Sequence, residues 1–439
     1  MDGPPGLPLV GSLVDAIREP LGFLERNKAR YGPTFRVRIG PYRILQIHEP
    51  EHIRHVLVQN AGNYQKSPTY EVLREVLGNG LVTSEGSFWR KQRRLVQPAF
   101  HHKNLQGFAD TMAQLTGELH HQWRQQPGEL DIHEAMTHLT LRIVGHTLMS
   151  TELADRAGDI GRAVSIILEY ASHPESYFIL PSWFPTVRRV RARKALTELD
   201  QILYGMIAKR RSSGQLGNDL LGMLMAATDA DTQEQMTPRQ LRDELMTMLL
   251  AGHETTANAL SWTWLLLGDH PEALRRIRAE VDEVLGQEPP TFAATKELRY
   301  TEAVVREAMR IYPPVWVIER QAIDDDRIGG IEIPAGTLVS IAPWTLHRDA
   351  RWFPEPEKFR PERFLDGTDE RHRYAYLPFG GGPPTCIGNA FAMMEAKLIV
   401  AQTVRDFDVD IVPGQRVTPK PGVTLRPSPG IRATVRPRS

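Results

Sequence analysis

The chain has 439 residues, 41% hydrophobic and 24% charged, so it is too long for a small cross-linked scaffold and ordinary for a globular protein. Its 53 Lys and Arg balance 53 Asp and Glu, which removes any global electrostatic case for nucleic acid or an anionic membrane. The single cysteine, Cys386, excludes an intrachain disulfide, a zinc site of several cysteines and the paired-cysteine attachment of a c-type haem.

The opening stretch Met1–Gly11 is broken by Pro and Gly and has no basic segment, so it does not read as a signal peptide. Phe35, Val37 and Ile39 alternate with polar residues, Gly40-Pro41 follows, and Ile44 to Ile47 complete the pattern of a hairpin. From Glu51 to about Gln287 the period is helical, with breaks at Gly or Pro. The longest apolar run, Leu245 to Leu267, could span a bilayer by length. His253, Glu254 and Asn258 near its middle make it a core helix instead. No membrane anchor is evident, and a cytoplasmic protein is expected. Short strands are expected at Val315–Ile318, Ile331–Ile333 and Leu338–Ile341. A helix should follow Cys386 to about Asp406, with strands again at Thr424–Leu425 and Ile431–Val435. The sum is an α+β fold, mostly α with small β-sheets, in one large domain over residues 1–439. The β-rich portions lie near 35–48, 315–343 and 424–435, and the helical bulk covers 51–287 and 387–406.

One helix can be read closely. Thr237 suits the N-cap, Pro238 the first turn, and Gln240 completes a capping box. The helix should run to about Gly268, ended by His270-Pro271. Roughly 32 residues at about 1.5 Å each give a rod of about 48 Å, enough to cross a domain. Its centre reads Ala251-Gly252-His253-Glu254-Thr255-Thr256. A helical Gly costs about 1 kcal/mol and a buried Glu more unless paired. Such residues gathered mid-core point to function, or to a local polar kink in which Thr bonds back to a carbonyl.

Other constellations fail. His133 and His138 are five apart, about 140° around a helix, so they cannot share a metal as a zinc-protease helix does. Gly380-Gly381-Gly382 is followed by Pro383-Pro384, not by a phosphate-loop spacing. Around Cys386 the glycines would let backbone approach something flat and bulky. The start of the next helix would favour a thiolate. A lone thiolate there is a nucleophile or a metal ligand, unless the cysteine is simply a small buried hydrophobe.

The segment Phe379 to Gly388 resembles the haem-binding loop of the cytochrome P-450 family, F-x-x-G-x-[R/H]-x-C-x-G, through Phe379, Gly382, Cys386 and Gly388. The long helix is similar to the family's [A/G]-G-x-[D/E]-T-[T/S] motif through Ala251, Gly252, Glu254, Thr255 and Thr256. Glu307 to Arg310 resembles its E-x-x-R, Pro361 to Phe364 its P-E-R-F, and Trp89 to Arg93 its W-x-x-x-R, all in the family's order. One position departs: Pro384 stands where the family has Arg or His facing a haem propionate.

The resemblance implies a haem-thiolate monooxygenase with haem b (iron protoporphyrin IX) as cofactor and Cys386 as the iron ligand. Thiolate ligation favours O–O cleavage. It implies Trp89, Arg93, Ala251, Arg320, Phe379, Gly380 and Gly388 around the cofactor, and Thr255 with Glu254 as the proton relay. Gly252 would give oxygen room. Glu307, Arg310 and Arg363 would form a structural ion cluster. Val315, Trp316 and Val317 would line the substrate pocket, with Trp316 adding bulk, and the loops Gln65 to Leu81 and near Leu180–Phe184 would shape the rest. The expected partners are O2, a small apolar organic substrate, and a separate ferredoxin or flavodoxin with its reductase. That carrier would draw on NAD(P)H and dock near Lys91, Arg94 and Lys103. No nucleic acid is expected. The alternatives are a peroxide-driven peroxygenase of the same fold and a non-catalytic haem-binding sensor or carrier.

Overall fold

The helix expected after Thr237 spans Pro238–Asp269, 32 residues, in the computed structural model. Gln240 N–H donates to Thr237 Oγ1 at 3.2 Å and Thr237 N–H to Gln240 Oε1 at 2.8 Å, closing the capping box. The structure describes residues 3–149, 157–173, 184–217, 219–229, 231–286, 288–365 and 371–438. Most of the expected loop near Leu180–Phe184 lies outside them.

The long helix passes through two apolar clusters. Leu241 to Leu250 pack with Val144, Ile167, Leu199 and Leu220. Ala257 to Leu267 pack with Met112, Ile143, Val304 and Leu398. The polar residues His253 to Thr256 sit between the two, where neither cluster claims them. The helix Asn389–Asp406, expected after Cys386, buries Leu398, Ile399 and Val400 in the second cluster.

Chain-distant strands share sheets. The largest has the order Thr34–Ile39, Tyr42–Ile47, Leu338–Ile341, Ile318–Ala322, Tyr64–Lys66. Only Tyr42–Ile47 and Leu338–Ile341 run parallel, with Ile44 opposite Leu338. A three-stranded sheet has Arg432–Pro437 between Gly128–Asp131 and Phe407–Ile411. A hairpin pairs Thr418–Pro421 with Leu425–Ser428.

Three expectations are corrected. Tyr64–Lys66 and Gly128–Asp131 are strands inside the stretch read as helical. Each is too short to show a period, and each pairs only with residues far along the chain. Regular pairing after Pro313-Pro314 starts at Ile318, opposite Ile341, so Val315 to Val317 are not strand. Thr424 lies in the hairpin's turn, and the strand starts at Leu425.

Glu307 anchors the fold beneath the site. Arg310 Nε and Nη2 donate to its two oxygens at 2.8 and 2.9 Å, and Arg363 Nε and the Arg360 N–H reach Oε1 at 3.2 and 2.9 Å. The Glu307 and Arg310 side chains are both fully buried. Among the described residues, no helix is long and apolar enough to cross a membrane.

Candidate active site

The cysteine loop is shaped by its own chain. Cys386 N–H donates to Phe379 O at 3.0 Å and Thr385 N–H to Gly382 O at 3.1 Å. Gly380 and Gly382 have φ of 72° and 71°, which side-chain-bearing residues avoid. A Cβ on Gly382 would fall 1.9 Å from Leu57 O, and one on Gly381 2.9 Å from the Tyr374 ring. Two of the three glycines thus answer to neighbouring protein, where the sequence reading assigned them to a flat ligand.

Cys386 is open to a cavity on one side although packed deeply on the others. Burial pushes its thiol up, while the Gly388 N–H and the Arg93 guanidinium pull it down. The helix-start effect expected from the sequence is therefore outweighed by burial. A bound metal cation would reverse the balance, because coordination deprotonates a thiol outright.

That cavity encloses about 1680 Å³ of empty space, counting solvent at its mouth. Of the residues expected around the cofactor and substrate, Trp89, Arg93, Ala251, Thr255, Val315, Arg320, Phe379, Gly380, Cys386 and Gly388 line it. Thr255 is half-buried, and its hydroxyl donates to Ala251 O at 2.7 Å. Gly252 also lines the wall. A Cβ there would meet Val144 at 3.2 Å, so the glycine lets the helix Ile132–Met149 approach closely.

Glu254, Trp316 and Val317 do not line the cavity. Glu254 is buried, and Arg426 Nε of the C-terminal hairpin lies 2.5 Å from its Oε1. The contact is an ion pair without an aligned hydrogen bond. Successive helical residues differ by about 100° in direction, so Thr255 can face the cavity while Glu254 faces the hairpin. Trp316 turns away too. Its Nε1–H donates to Gly422 O at 2.8 Å, and its ring packs on the cluster of Leu21, Trp344 and Leu425. Its expected bulk is missing from the pocket, where Ile318 stands instead.

Lys66, Arg93 and Arg320 line the cavity, and among the described residues no Asp or Glu does. Lys66 had no motif to mark it; it lies opposite Arg320 in the strand register. Each cation is steered by a carbonyl: Lys66 Nζ donates to Ser84 O at 2.5 Å, Arg93 Nη1 to Thr385 O at 2.8 Å, Arg320 Nη1 to Glu319 O at 2.9 Å. Burial pushes the Lys66 ammonium down to about 8. Pro384 is on the wall and offers no charge. A mostly apolar cavity that among the described residues carries three cations, one thiol and no acid fits a flat dianionic macrocycle whose metal can take a sulfur ligand. Cys386 would hold the iron, and Lys66, Arg93 and Arg320 would face the propionates.

Two expected docking cations are engaged within the chain. Lys91 pairs with Glu234 at 2.5 Å, and Arg94 with Asp229 and Asp231 at 3.1 and 2.7 Å. His133, set aside as a metal ligand, bonds Ser261 Oγ at 3.0 Å.

Comparison with known proteins agrees with this geometry. The family model described as Cytochrome P450 matches residues 1–435. Cyclooctatin synthase of Streptomyces melanosporofaciens is 38% identical over 442 residues, covering 99% of this chain and 95% of the relative. Cyclooctat-9-en-7-ol 5-monooxygenase of the same organism is 36% identical over 426 residues, covering 96% and 90%. The structure of retinoic acid-bound cyanobacterial CYP120A1 superposes with a TM-score of 0.90 at 27% identity, covering 100% of both chains. The chain belongs to the cytochrome P450 family. It is a cytochrome P450 monooxygenase, and its cofactor is haem b.

Proposed function

We propose that this enzyme inserts one atom of O2 into a bulky apolar organic substrate, using electrons from NAD(P)H passed through a separate ferredoxin or flavodoxin and its reductase. The observation that carries the reading is that Cys386 and Thr255 line one cavity whose other walls are largely apolar. Haem b bound there supplies the oxygen-activating iron. The chain's residues do the rest. Cys386 fixes the iron, and Lys66, Arg93 and Arg320 neutralise the macrocycle's charge. Leu81, Val82, Val144, Met248 and Val315 exclude water and hold the substrate. Thr255 Oγ1 both donates and accepts, so it can pass a proton from cavity water once it leaves Ala251 O. Glu254 joins this path only after parting from Arg426.

The names of the relatives favour cyclic, nearly apolar substrates bearing few polar groups. A dependence on NAD(P)H goes with a cytoplasmic location. The test is a binding screen of fatty acids, terpenes, steroids and macrolides by the haem spectrum. Turnover of the best ligands under labelled O2 with a surrogate ferredoxin and reductase follows. One labelled oxygen per product is expected. Equal turnover with peroxide alone would replace this reading by the peroxygenase. Cys386→His should lose the thiolate-type ferrous–CO spectrum, and its retention would sink the ligand assignment.

A further inference from the structure

Between the helices Tyr70–Leu77 and Gly86–Val96 the chain crosses the start of the long helix as a loop, residues 78–85. Two consecutive buried acids meet it there. Asn79 N–H donates to Asp243 Oδ2 at 2.9 Å, and Leu81 N–H to Glu244 Oε2 at 3.1 Å. Glu244 is fully buried, and its other oxygen has no partner. Asp243 is held in turn by Arg242 Nη1 at 3.0 Å, and Arg242 by Asp200 at 2.6 Å.

The loop is cut to fit these acids. A Cβ on Gly78 would stand 2.1 Å from Asp243 Oδ1, and one on Gly80 2.3 Å from Thr247 Oγ1 and 2.7 Å from Asp243 O. The Gly80 obstruction includes main chain, so a side chain there must lift the loop. Internally the loop is one tight turn. Thr83 Oγ1 donates to Gly78 O at 2.6 Å, and Ser84 N–H to Gly80 O at 2.8 Å. It is therefore braced from within. Its Leu81 and Val82 are cavity wall, as are Thr247 and Met248, one helical turn beyond the acids.

We propose that Asp243 and Glu244 are positioning residues that latch the 78–84 loop to the long helix, and that the latched loop sets the width of the cavity and hence the size of substrate accepted. No motif marks either residue. A buried main-chain N–H that loses its acceptor is left unsatisfied, which costs more than a hydrogen bond exchanged with water. The hydrogen bond described for the Glu244 carboxyl is the one to the loop, and its other oxygen is buried without a partner. The inference rests on the monooxygenase reading only for what fills the cavity; the latch itself can be read without turnover.

The test uses the haem-loaded enzyme with two readouts. The first is amide hydrogen exchange across residues 78–84. The second is the ratio of dissociation constants for a large and a small apolar ligand, read from the haem spectrum. Glu244→Ala should speed exchange at Leu81 about tenfold, the cost of leaving one buried N–H without its acceptor. It should also shift the ratio toward the larger ligand. Glu244→Gln retains an acceptor and should restore both. Gly80→Ala, which leaves the acids in place, should move both readouts the same way as Glu244→Ala. Unchanged loop exchange in both Glu244→Ala and Gly80→Ala would overturn the latch. Faster exchange with an unchanged ligand ratio would overturn its role in specificity. A rise spread evenly over the neighbouring helices would reduce the acids to general stabilisers. Failure of the monooxygenase reading would appear separately, as absent product with both readouts intact.

Discussion

Thr255 is the one hydroxyl of the expected relay pair that faces the cavity, and its proton is committed to Ala251 O until something better arrives. Thr255→Ala should leave reductant consumption in place while peroxide replaces product, measured as product formed per NAD(P)H consumed across several substrates. Unchanged coupling would remove Thr255 from the path. Pro384 poses the opposite case, a residue that supplies nothing. It has neither a side-chain donor nor a backbone N–H, and the cavity relies on Lys66, Arg93 and Arg320 for charge. Pro384→Arg should slow haem transfer to apomyoglobin by at most about tenfold, since about 1.4 kcal/mol is one decade. The gain should shrink at high salt. Lys66→Gln should speed the same transfer. Equal rates in wild type and Pro384→Arg would mean that the three existing cations already satisfy the propionates.

At the scale of elements, the helix Arg299–Ile311 depends on its ion cluster. Removing Glu307 strands the fully buried Arg310 guanidinium. Glu307→Ala should destabilise the enzyme by roughly 3–5 kcal/mol, seen as a lower denaturant midpoint or as failure to accumulate with haem. A midpoint unmoved by the substitution would show that other groups absorb the Arg310 charge. The start of the long helix carries a pH dependence. Burial chiefly, with Asp243 adding, pushes the Glu244 carboxyl up to about 8, against the Leu81 N–H and Lys66. The folded protein keeps this proton where an unfolded chain, with the ordinary value of 4.5, has released it. The group's contribution to stability is therefore full below the unfolded value and is lost as pH rises through about 8. Glu244→Gln cannot ionise, so its melting temperature relative to wild type should climb between about pH 5 and about pH 9. A flat difference would show that Glu244 is ionised in the fold throughout.

Over the whole molecule, what local chemistry specifies could be read from the sequence. The capping box of Thr237 and Gln240, the hairpin around Gly40 and the strand Leu338–Ile341 all stand where their residues put them. The motif residues Cys386, Arg93, Arg320 and Thr255 are marked in the sequence by the family resemblance, not by residue chemistry alone, and they line one cavity. Direction was harder. Glu254 and Trp316 belong to the right segments, but Arg426 and Gly422 draw them away, and both partners come from a hairpin with no motif of its own. Tyr64–Lys66 and Gly128–Asp131 were hidden for the same reason, since only distant partners make them strands. Lys66 and Glu244 follow that pattern: their meaning lies in what the fold brings beside them.

The three-stranded sheet bears on how the protein is made. Among the described elements its central strand, Arg432–Pro437, comes last, and 303 positions separate Arg432 from its neighbour Glu129 across the sheet. Gly128–Asp131 and Phe407–Ile411 do not pair with each other, so neither has its partner in this sheet until Arg432–Pro437 lies between them. Each waiting strand is an open edge that another nascent chain could pair with. Non-local pairing of this kind is also slow to form. The haem ligand Cys386 precedes that central strand along the chain. Until Arg432–Pro437 is in place, both outer strands of this sheet are open to pairing with another chain.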